Sequence, residues 1–409
     1  MSNVKKFALR FVLSLFICSL LFAIPDIQKV KANPEVITVD DDRVECPDAN
    51  FTSIQEAVNA ANSGDTICVY NGMYYENLII DKTLSLIGQG PRLTLICNTL
   101  YPTRPVIYVT ANNTAIRGFC IGEETYVPEL KENIPPRMIG IYVQKARGVD
   151  ISYNGFENNY IGIYLNYSNN NKIYHNNFLG NTVQAFAYNS SSNMWDDGYP
   201  SGGNYWDDHV IIEWIPELFG GGKRLSGPGG VDLYCGPYQN ETGGDGISDV
   251  SYTIDADNED RYPLMGLVNL FIDGWLEVPG WISMVSNSTV SDLYFNPDEG
   301  AFIKFSVTGE EGTIGYCKAV LPKEVLWAEN NQWTVLIDGE PVDPRITEDA
   351  GNTYLYFTYN HSTKTVEIQG TDAIPEFPSW TPMLLLLVVL TVASVIYKRR
   401  LHRNPINAK

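Results

Sequence analysis

Apolar and polar positions along residues 139–182 repeat with a period of 22 residues. The segment 139–160, IGIYVQKARGVDISYNGFENNY, aligns over 161–182, IGIYLNYSNNNKIYHNNFLGNT, and a degraded third copy begins at Val183. Each copy holds short runs of alternating apolar and polar residues, separated by Asn, Gly or Ser. Such runs are typical of β-strands, and a period of this length indicates a solenoid. The pattern predicts an all-β chain built on a right-handed parallel β-helix of about 22 residues per coil.

Asparagine recurs at fixed positions of this repeat. Asn154 falls on Asn176, and Asn159 falls on Asn181. The Asn amide both donates and accepts hydrogen bonds, so equivalent Asn side chains of successive coils can bond to one another. We therefore expect Asn ladders along the solenoid. A helical solenoid is disfavoured, because runs rich in β-branched residues, Tyr and Asn have low helix propensity.

The chain before residue 139 is less regular, yet its alternation predicts five further short strands. These are 65–70, 83–88, 93–97, 106–109 and 114–119, and residues 122–138, with three prolines, are predicted to leave the stack.

Residues 53–61 fit a short amphipathic helix. Ser53 is its expected N-cap, and Glu56 completes a capping box. Because a solenoid exposes its core at an open end, we expect this helix to cover the N-terminal coil. The predicted β-helix with its cap spans residues 33–193.

Two regions follow the coils. Residues 194–269 break the repeat and are rich in Asp, Gly and aromatic residues, so we expect them to close the β-helix. Residues 270–372 contain alternating runs, such as 301–307 and 333–337, at the spacing of a small β-sandwich. Within it, 353–370 is predicted to form one hairpin.

Both ends have targeting features. Residues 1–32 combine basic residues, an apolar stretch at 11–24 and small residues before Asn33, which predicts a cleaved signal peptide. An uncleaved signal anchor is the alternative. Within residues 373–409, the apolar stretch 382–397 is followed by three basic residues, which predicts one transmembrane helix. The basic flank places the C-terminus inside and the bulk of the chain at the cell surface, outside.

Charge narrows the range of partners. The chain has 28 basic and 48 acidic residues, and each predicted targeting end holds five basic residues and one acidic residue. The part between them therefore holds 18 basic and 46 acidic residues, a net charge of −28. Such a surface repels nucleic acid and attracts cations. We expect a membrane and extracellular glycans or envelope proteins as partners, and no nucleic acid.

Six cysteines remain after the signal peptide, which permits disulfides in an exported chain. Cys46 with Cys68, and Cys97 with Cys120, are the expected pairs, with free thiols as the alternative. Asn-x-Ser/Thr sequons predict glycosylation at seven positions: Asn50, Asn112, Asn166, Asn189, Asn240, Asn287 and Asn360.

Four N-terminal segments carry a resemblance to a known family. They are TVDDD at 38–42, FTSIQEA at 51–57, SGDTI at 63–67 and GMYYEN at 72–77. With the closing segment, they resemble the pectate-lyase-like, NosD-like β-helices of archaeal surface proteins, which are also described as carbohydrate-binding and sugar-hydrolysing domains. The resemblance covers about residues 36–265 and implies the fold. The superfamily hosts lyases, hydrolases and non-enzymes alike, so the fold does not assign a function.

A second resemblance concerns the C-terminal anchor. Pro375, Glu376, Phe377 and Pro378 resemble the PEF-type sorting signal of archaeal surface proteins. That resemblance implies that a membrane transpeptidase cuts near the motif and attaches the protein to lipid. The mature protein would then keep an anchor but lose the helix.

The closing segment supplies candidates for metal and sugar binding. Carboxylates on Gly-rich turns suit calcium, and the candidates are Asp245, Asp249, Asp255 and Asp257, with Asp207 and Asp208 behind them. A solvated acidic cap is the alternative. Aromatic rings beside acids can hold sugars, and the candidates are Trp195, Tyr205, Trp206 and Trp214. We favour the alternative that these rings plug the end of the core.

Three functions are compatible with these features. The favoured one is a non-catalytic surface protein that binds glycans or envelope proteins. The second is a polysaccharide lyase or glycoside hydrolase; a glycosidase needs two carboxylates about 5 Å or 6.5–9.5 Å apart, and the weak catalytic candidates are Asp196, Asp197, Asp207 and Asp208. The third, suggested by the NosD name, is copper maturation. It is least favoured, because His175, His209 and His361 form no His-Met cluster and His175 is expected to face solvent.

Overall fold

Three parallel β-sheets wind into a β-helix over the N-terminal half of the chain. The computed structural model describes residues 34–97, 104–122, 139–210, 228–271, 281–297 and 299–373, and the backbone of two further strands at 212–215 and 222–225. The strands of the β-helix are β1 Val36–Val39, β2 Thr66–Val69, β3 Gly72–Tyr75, β4 Leu78–Ile80, β5 Ser85–Gly88, β6 Thr94–Cys97, β7 Ile107–Val109, β8 Ala115–Arg117, β9 Cys120–Gly122, β10 Ile139–Gln144, β11 Asp150–Ser152, β12 Gly155–Glu157, β13 Ile161–Asn166, β14 Lys172–Tyr174, β15 Asn177–Leu179, β16 Val183–Tyr188 and β17 Tyr205–Trp206.

Each coil contributes one strand to each sheet. The first sheet has the order β1-β2-β5-β8-β11-β14, the second β3-β6-β9-β12-β15-β17, and the third β4-β7-β10-β13-β16. The predicted 22-residue register is confirmed in all three sheets, where Ile139 pairs with Ile161, Ile151 with Ile173, and Phe156 with Phe178. The five predicted earlier strands are also present, as β2 and β5 to β8.

Inward-facing side chains and Asn ladders hold the coils together. Ile151, Ile173 and Phe178 are fully buried in one continuous apolar core. The Asn176 side chain accepts a hydrogen bond from the Asn154 backbone amide at 3.0 Å, and its own amide donates to Asn204 at 2.9 Å. These bonds satisfy buried polar groups at the corners, where the backbone turns away from the sheets. The predicted ladder is confirmed and continues beyond the repeat to Asn204.

The helix α1, Ile54–Ala60, covers the first coil as predicted. Ser53 caps it, since its hydroxyl accepts from the Glu56 amide at 3.3 Å. Glu76, not Glu56, supplies the acidic partner: its carboxylate accepts from the Ser53 hydroxyl and from the amides of residues 54 and 55, each at 2.9 Å. An acid from the next coil therefore neutralises the positive end of the helix and ties the cap to the solenoid.

The closing segment forms short antiparallel pairs around the last coil. Its strands are β18 Ile212–Ile215, β19 Gly222–Leu225, β20 Tyr234–Cys235, β21 Glu241–Thr242, β22 Tyr252–Asp255 and β23 Asn258–Asp260. The hairpin of β22 and β23 brings Asn258 and Asp260 against the Trp195 and Trp206 rings.

A two-sheet β-sandwich follows. Its strands are β24 Leu267–Phe271, β25 Ile282–Ser286, β26 Thr289–Phe295, β27 Phe302–Thr308, β28 Ile314–Pro322, β29 Leu326–Trp327, β30 Thr334–Ile337, β31 Glu340–Val342, β32 Arg345–Glu348, β33 Asn352–Asn360, β34 Lys364–Gln369 and β35 Asp372–Ala373, with a 3₁₀ turn at Glu329–Asn331. One antiparallel sheet has the order β24-β25-β28-β33-β32 and the other β26-β27-β34-β30-β31, and they share one core.

The predicted hairpin over 353–370 is wrong. Strands β33 and β34 both form, but β33 pairs with β28 and β32, while β34 pairs with β27 and β30. The turn between them therefore crosses from one sheet to the other. Alternation alone cannot separate the two cases, because both strands bury one face in the same core.

No disulfide joins the six described cysteines, so the two expected disulfides are not formed. In the second sheet Cys97 lies opposite Gly122 rather than Cys120. An offset of two residues along neighbouring strands separates the two Cα atoms by roughly 8 Å, which is beyond the reach of a disulfide.

No helix within the described part of the chain is long and apolar enough to cross a membrane. The predicted signal peptide, the transmembrane stretch 382–397 and the sorting motif at 375–378 lie outside the described residues.

Candidate functional site

Aromatic side chains line up on the outer face of the third sheet. Strand register places Tyr108, Tyr142, Tyr164 and Phe186 opposite one another on β7, β10, β13 and β16. Successive ring centroids lie 5.3, 4.9 and 5.2 Å apart. Parallel strands in register repeat about every 4.8 Å, so equivalent outward residues must stack. We call these four residues the aromatic ladder.

The ladder is accessible and carries polar groups along one side. Its three tyrosines are half-buried, and Phe186 is 44% exposed. The Asn166 amide donates to the Tyr142 hydroxyl at 2.6 Å, and the Tyr108 hydroxyl donates to the Gln144 side chain. The surface therefore presents apolar ring edges beside hydroxyl and amide groups. The hydroxyl and amide groups can donate hydrogen bonds to a ligand or accept them from it.

Two further rings extend the ladder at the adjoining corner. Tyr167 and Tyr188, 51% and 48% exposed, pack edge to face with centroids 5.7 Å apart. Unlike the central ladder rings, whose faces cover one another, these corner rings and Phe186 present large apolar surface to solvent. Exposed aromatic surface next to polar groups makes this face a candidate binding surface.

The aromatic residues predicted to hold sugars are in other positions. Trp195 and Trp206 are fully buried, and Trp206 lies between Phe178 and Tyr252 with both centroids at 4.2 Å. A ring enclosed on both faces cannot stack on a sugar, so for these two residues the sugar-binding prediction is wrong and the plug alternative is confirmed. Tyr205 is half-buried, and the Trp214 side chain lies outside the described part of the structure.

The indole groups of this plug are anchored by buried acceptors. Trp195 donates to the Asn258 side chain at 3.1 Å, and Trp206 donates to Asp260 at 2.9 Å. Asp260 is fully buried and also accepts from the Asn204 and Tyr262 amides. Burial raises the pKa of Asp260 to about 7, against the opposing effect of these donors.

The four weak catalytic candidates serve separate structural contacts. Asp196 forms a two-pronged ion pair with Arg261, at 2.6 and 2.9 Å, and its side chain is 2% exposed. Asp207 accepts from the Gly180 amide and from Gln184, each at 2.5 Å, while Asp208 accepts from the Tyr252 hydroxyl at 3.2 Å. Asp197 accepts from the Ser201 hydroxyl at 3.1 Å and lines a polar cleft.

The calcium candidates are also dispersed. Asp245 accepts hydrogen bonds from the Gly236 and Ile247 amides. Asp249 accepts from the Leu233 and Tyr234 amides, and Asp255 accepts from the Asn258 side chain. Among the described residues, the one group of three metal-ligating side chains whose ligand atoms lie within 4.8 Å of one another is Asp40, Asp41 and Asp42. Neither the predicted calcium set nor any described histidine belongs to such a group.

A polar cleft separates the β-helix from the β-sandwich. Its volume is about 520 Å³, and its walls include Arg117, Tyr153, His175, Asp197 and Trp281. Arg117 forms an ion pair with Asp150 at 2.7 Å and lies 5.9 Å from the Trp281 ring centroid. The Ser201 hydroxyl is within 3.2 Å of His175 Nε2 and donates to Asp197 at 3.1 Å. Asp197 thus contacts the serine rather than the imidazole, unlike the order of a hydrolase triad.

His175 is buried in this cleft, 4% exposed, and so the expectation that it faces solvent is wrong. Its ring packs edge to face against Tyr153 and Tyr174, and its Nε2 contacts Ser201 of the closing segment. Burial lowers the pKa of His175 to about 4, because the charged imidazolium loses its hydration.

This pKa predicts a stability change with pH. His175 binds a proton more weakly in the folded chain than in the unfolded chain, where its pKa is near 6.5. Its contribution to the free energy of unfolding is therefore complete above pH 6.5 and is lost as the pH falls towards 4. We expect the free energy of unfolding to fall between pH 7 and 5 by about 2 kcal/mol more in the wild type than in His175→Asn. Urea denaturation at both pH values measures this difference, and the paired comparison cancels the titration of the many carboxylates. Equal losses in the two proteins would contradict the assignment.

The predicted glycosylation positions fall in two groups. Asn50, Asn112, Asn189, Asn240, Asn287 and Asn360 are exposed, whereas Asn166 is half-buried beside the aromatic ladder. Their glycosylation stays a prediction.

Sequence reasoning missed the ladder although two of its members were aligned. Tyr142 falls on Tyr164 in the 22-residue repeat, but the coil before it is interrupted at 122–138, so Tyr108 is out of phase. The signal that would have found it is the outward position shared by Tyr142, Tyr164 and Phe186.

Comparisons with known proteins agree with this architecture. Residues 131–210 match the family model described as periplasmic copper-binding protein (NosD). A stretch of 114 residues, 27% of this chain, is 31% identical to a cell surface glycoprotein of Methanothermus fervidus. The match spans 16% of that protein's length.

Similarity to solved structures is weak. An alginate lyase from Paenibacillus aligns with a TM-score of 0.29 and 16% identity, covering 39% of this chain and 55% of the lyase. A pectin methylesterase from carrot aligns with a TM-score of 0.24 and 12% identity, covering 39% of this chain and 63% of the esterase. These scores carry no argument about activity. The sheet topology and the strand register show a parallel β-helix, and its coils within residues 131–210 are similar to the NosD family model.

Proposed function

We propose that this chain is a non-catalytic extracellular surface protein that binds glycans through the aromatic ladder and its corner rings. The similarity to a cell surface glycoprotein supports the location, as do the predicted signal peptide and the apolar stretch 382–397. In this proposal the C-terminal stretch, or a lipid that replaces it, anchors the chain to the membrane with its bulk outside.

The observation that carries the glycan proposal is the row of aromatic side chains in register on one outer face. Phe186, Tyr188 and Tyr167 offer exposed ring surface for the apolar faces of sugar rings. The hydroxyls of Tyr142 and Tyr164 and the amides of the same strands offer donors and acceptors for sugar hydroxyls. Since coils repeat along the axis, the surface offers equivalent contacts at regular intervals, which suits a linear polymer of repeating units.

The alternative function is a polysaccharide lyase or hydrolase. The cleft of Asp197, His175 and Arg117 is the place that favours it, because it combines an accessible carboxylate with buried polar groups. The pKa of Asp197 is raised, chiefly because the walls of the cleft partly desolvate this otherwise exposed carboxylate. The same experiment can address both functions if it detects released sugar as well as bound sugar.

The test is binding of the purified full chain to a glycan array, with released saccharides measured by mass spectrometry. We expect retention of at least one polymeric glycan by the wild type and loss of about tenfold in affinity in Phe186→Ala/Tyr188→Ala, which corresponds to about 1.4 kcal/mol. Both side chains are exposed, so the fold should tolerate the change.

Tyr238→Ala is the matched control, because Tyr238 is 84% exposed on the closing segment, outside the aromatic ladder. The control should bind like the wild type. Equal binding by all three proteins would refute the ladder as the site. Saccharide release by the wild type that is lost in Asp197→Asn would favour the enzymatic alternative.

A further inference from the structure

Three consecutive carboxylates converge at the turn after β1. One ligand oxygen from each of Asp40, Asp41 and Asp42 lies within 4.8 Å of the other two. The turn lies beside α1 at the capped end of the β-helix, away from the ladder and the cleft, and neither proposed function uses it. Like charges at this spacing repel one another unless a cation lies between them.

Backbone amides orient all three side chains. The Cys46 amide donates to Asp40 Oδ2 at 2.6 Å, the Val44 amide to Asp42 Oδ1 at 2.9 Å, and the Met73 amide to Asp41 Oδ2 at 3.3 Å. Each bond holds one oxygen of a carboxylate. The second oxygen of each remains for another ligand.

Asp40 gives the independent evidence for that ligand. It is 0% exposed, and its Oδ1 is buried without a hydrogen-bond donor in the described structure. A buried carboxylate oxygen without a donor or a cation is costly, so native proteins pair such atoms or coordinate a metal with them.

Within the described residues, no ion pair compensates the charge of these three carboxylates. None of the four ion pairs in the described residues includes Asp40, Asp41 or Asp42. The neighbouring Arg43 side chain turns away and donates to the Ala49 carbonyl at 2.6 Å.

We propose that Asp40, Asp41 and Asp42 bind a calcium ion that fixes the N-terminal cap of the β-helix. All-oxygen, carboxylate-rich sites select hard cations. Calcium accepts six to eight oxygen ligands in a flexible geometry, which suits three carboxylates on one turn better than the strict octahedron that magnesium demands. Because Asp41 also accepts from Met73 on β3, the ion would tie the first turn to the next coil.

The test is calorimetric titration of the metal-free full chain with calcium chloride, repeated for Asp41→Asn/Asp42→Asn. These two residues are exposed, so the variant retains the buried Asp40 contact. We expect one binding event in the wild type that is absent from the variant. At calcium 100 times its Kd, the wild-type Tm should rise by about 5–10 °C and the variant Tm should not change.

A second pair of changes, Asp255→Asn/Asp257→Asn, is the matched control at the other predicted calcium position. It should keep the binding event and the Tm shift. In EDTA, Asp41→Asn/Asp42→Asn should be at least as stable as the wild type, because two repelling charges are gone; this separates ion binding from a purely structural role. Undiminished calcium binding by Asp41→Asn/Asp42→Asn, or its loss in the control, overturns the proposal, as does a failure of the wild type to bind calcium.

Discussion

Phe178→Ala is expected to lower the free energy of unfolding by about 3–5 kcal/mol. Phe178 is fully buried and lies between Phe156, at 4.9 Å, and Trp206, at 4.2 Å. The stack continues from Trp206 to Tyr252 of the closing segment. Removal of this ring leaves a cavity where the last regular coil meets its plug. Urea denaturation followed by near-ultraviolet circular dichroism measures the loss.

Phe178→Leu is the matched control, since it keeps most of the apolar volume. It should give a clearly smaller loss than the alanine variant. An alanine variant within about 0.5 kcal/mol of the wild type, the range of ordinary surface substitutions, would show that the coil and the plug do not share this core.

Asp260→Ala alone is also expected to lower the free energy of unfolding by about 3–5 kcal/mol. The carboxylate is fully buried and accepts from the Asn204 amide at 2.7 Å, from the Trp206 indole at 2.9 Å and from the Tyr262 amide at 3.1 Å. Its loss leaves several buried donors without an acceptor. The same denaturation measurement, with thermal unfolding as a second readout, reports the effect.

Asp260→Asn tests the physical reason. The amide keeps one carbonyl acceptor in the same shape, so it should recover part of the stability lost in the alanine variant. Identical stability in Asp260→Asn and Asp260→Ala would mean that the charge of the carboxylate, rather than its shape or an accepted hydrogen bond, is what Asp260 contributes. Asp257→Asn, at an exposed carboxylate of the same hairpin, should have little effect.

The coils were predictable because the stacking of a solenoid imposes its period on the sequence. Ile151 must lie over Ile173 for the core to form, and Asn154 must lie over Asn176 for the Asn ladder to form. The 22-residue alignment therefore contains the strand register itself. The cap helix was predictable from Ser53 and its apolar face. Its acidic partner was not, because Glu76 comes from the following coil.

What the sequence could not reveal depends on contacts between distant segments. The sequence favours Trp206 as a plug, but the residues that enclose it, Asp260 and Tyr252, come from a hairpin about 50 residues later in the chain. His175 follows a surface-like pattern, yet it is buried beside Tyr153 and Ser201, and Ser201 belongs to the closing segment. Whether the turn between β33 and β34 stays within one sheet or crosses to the other depends on the strands with which each of them pairs, and those strands are distant in sequence.

The most direct test of the central claim is the dissociation constant of the full chain for a glycan retained on the array, measured by titration calorimetry for the wild type, Phe186→Ala/Tyr188→Ala and Tyr238→Ala. The account predicts that the ladder variant binds about tenfold more weakly, with unchanged thermal stability, and that the control binds like the wild type. Equal dissociation constants for the wild type and the ladder variant would contradict it.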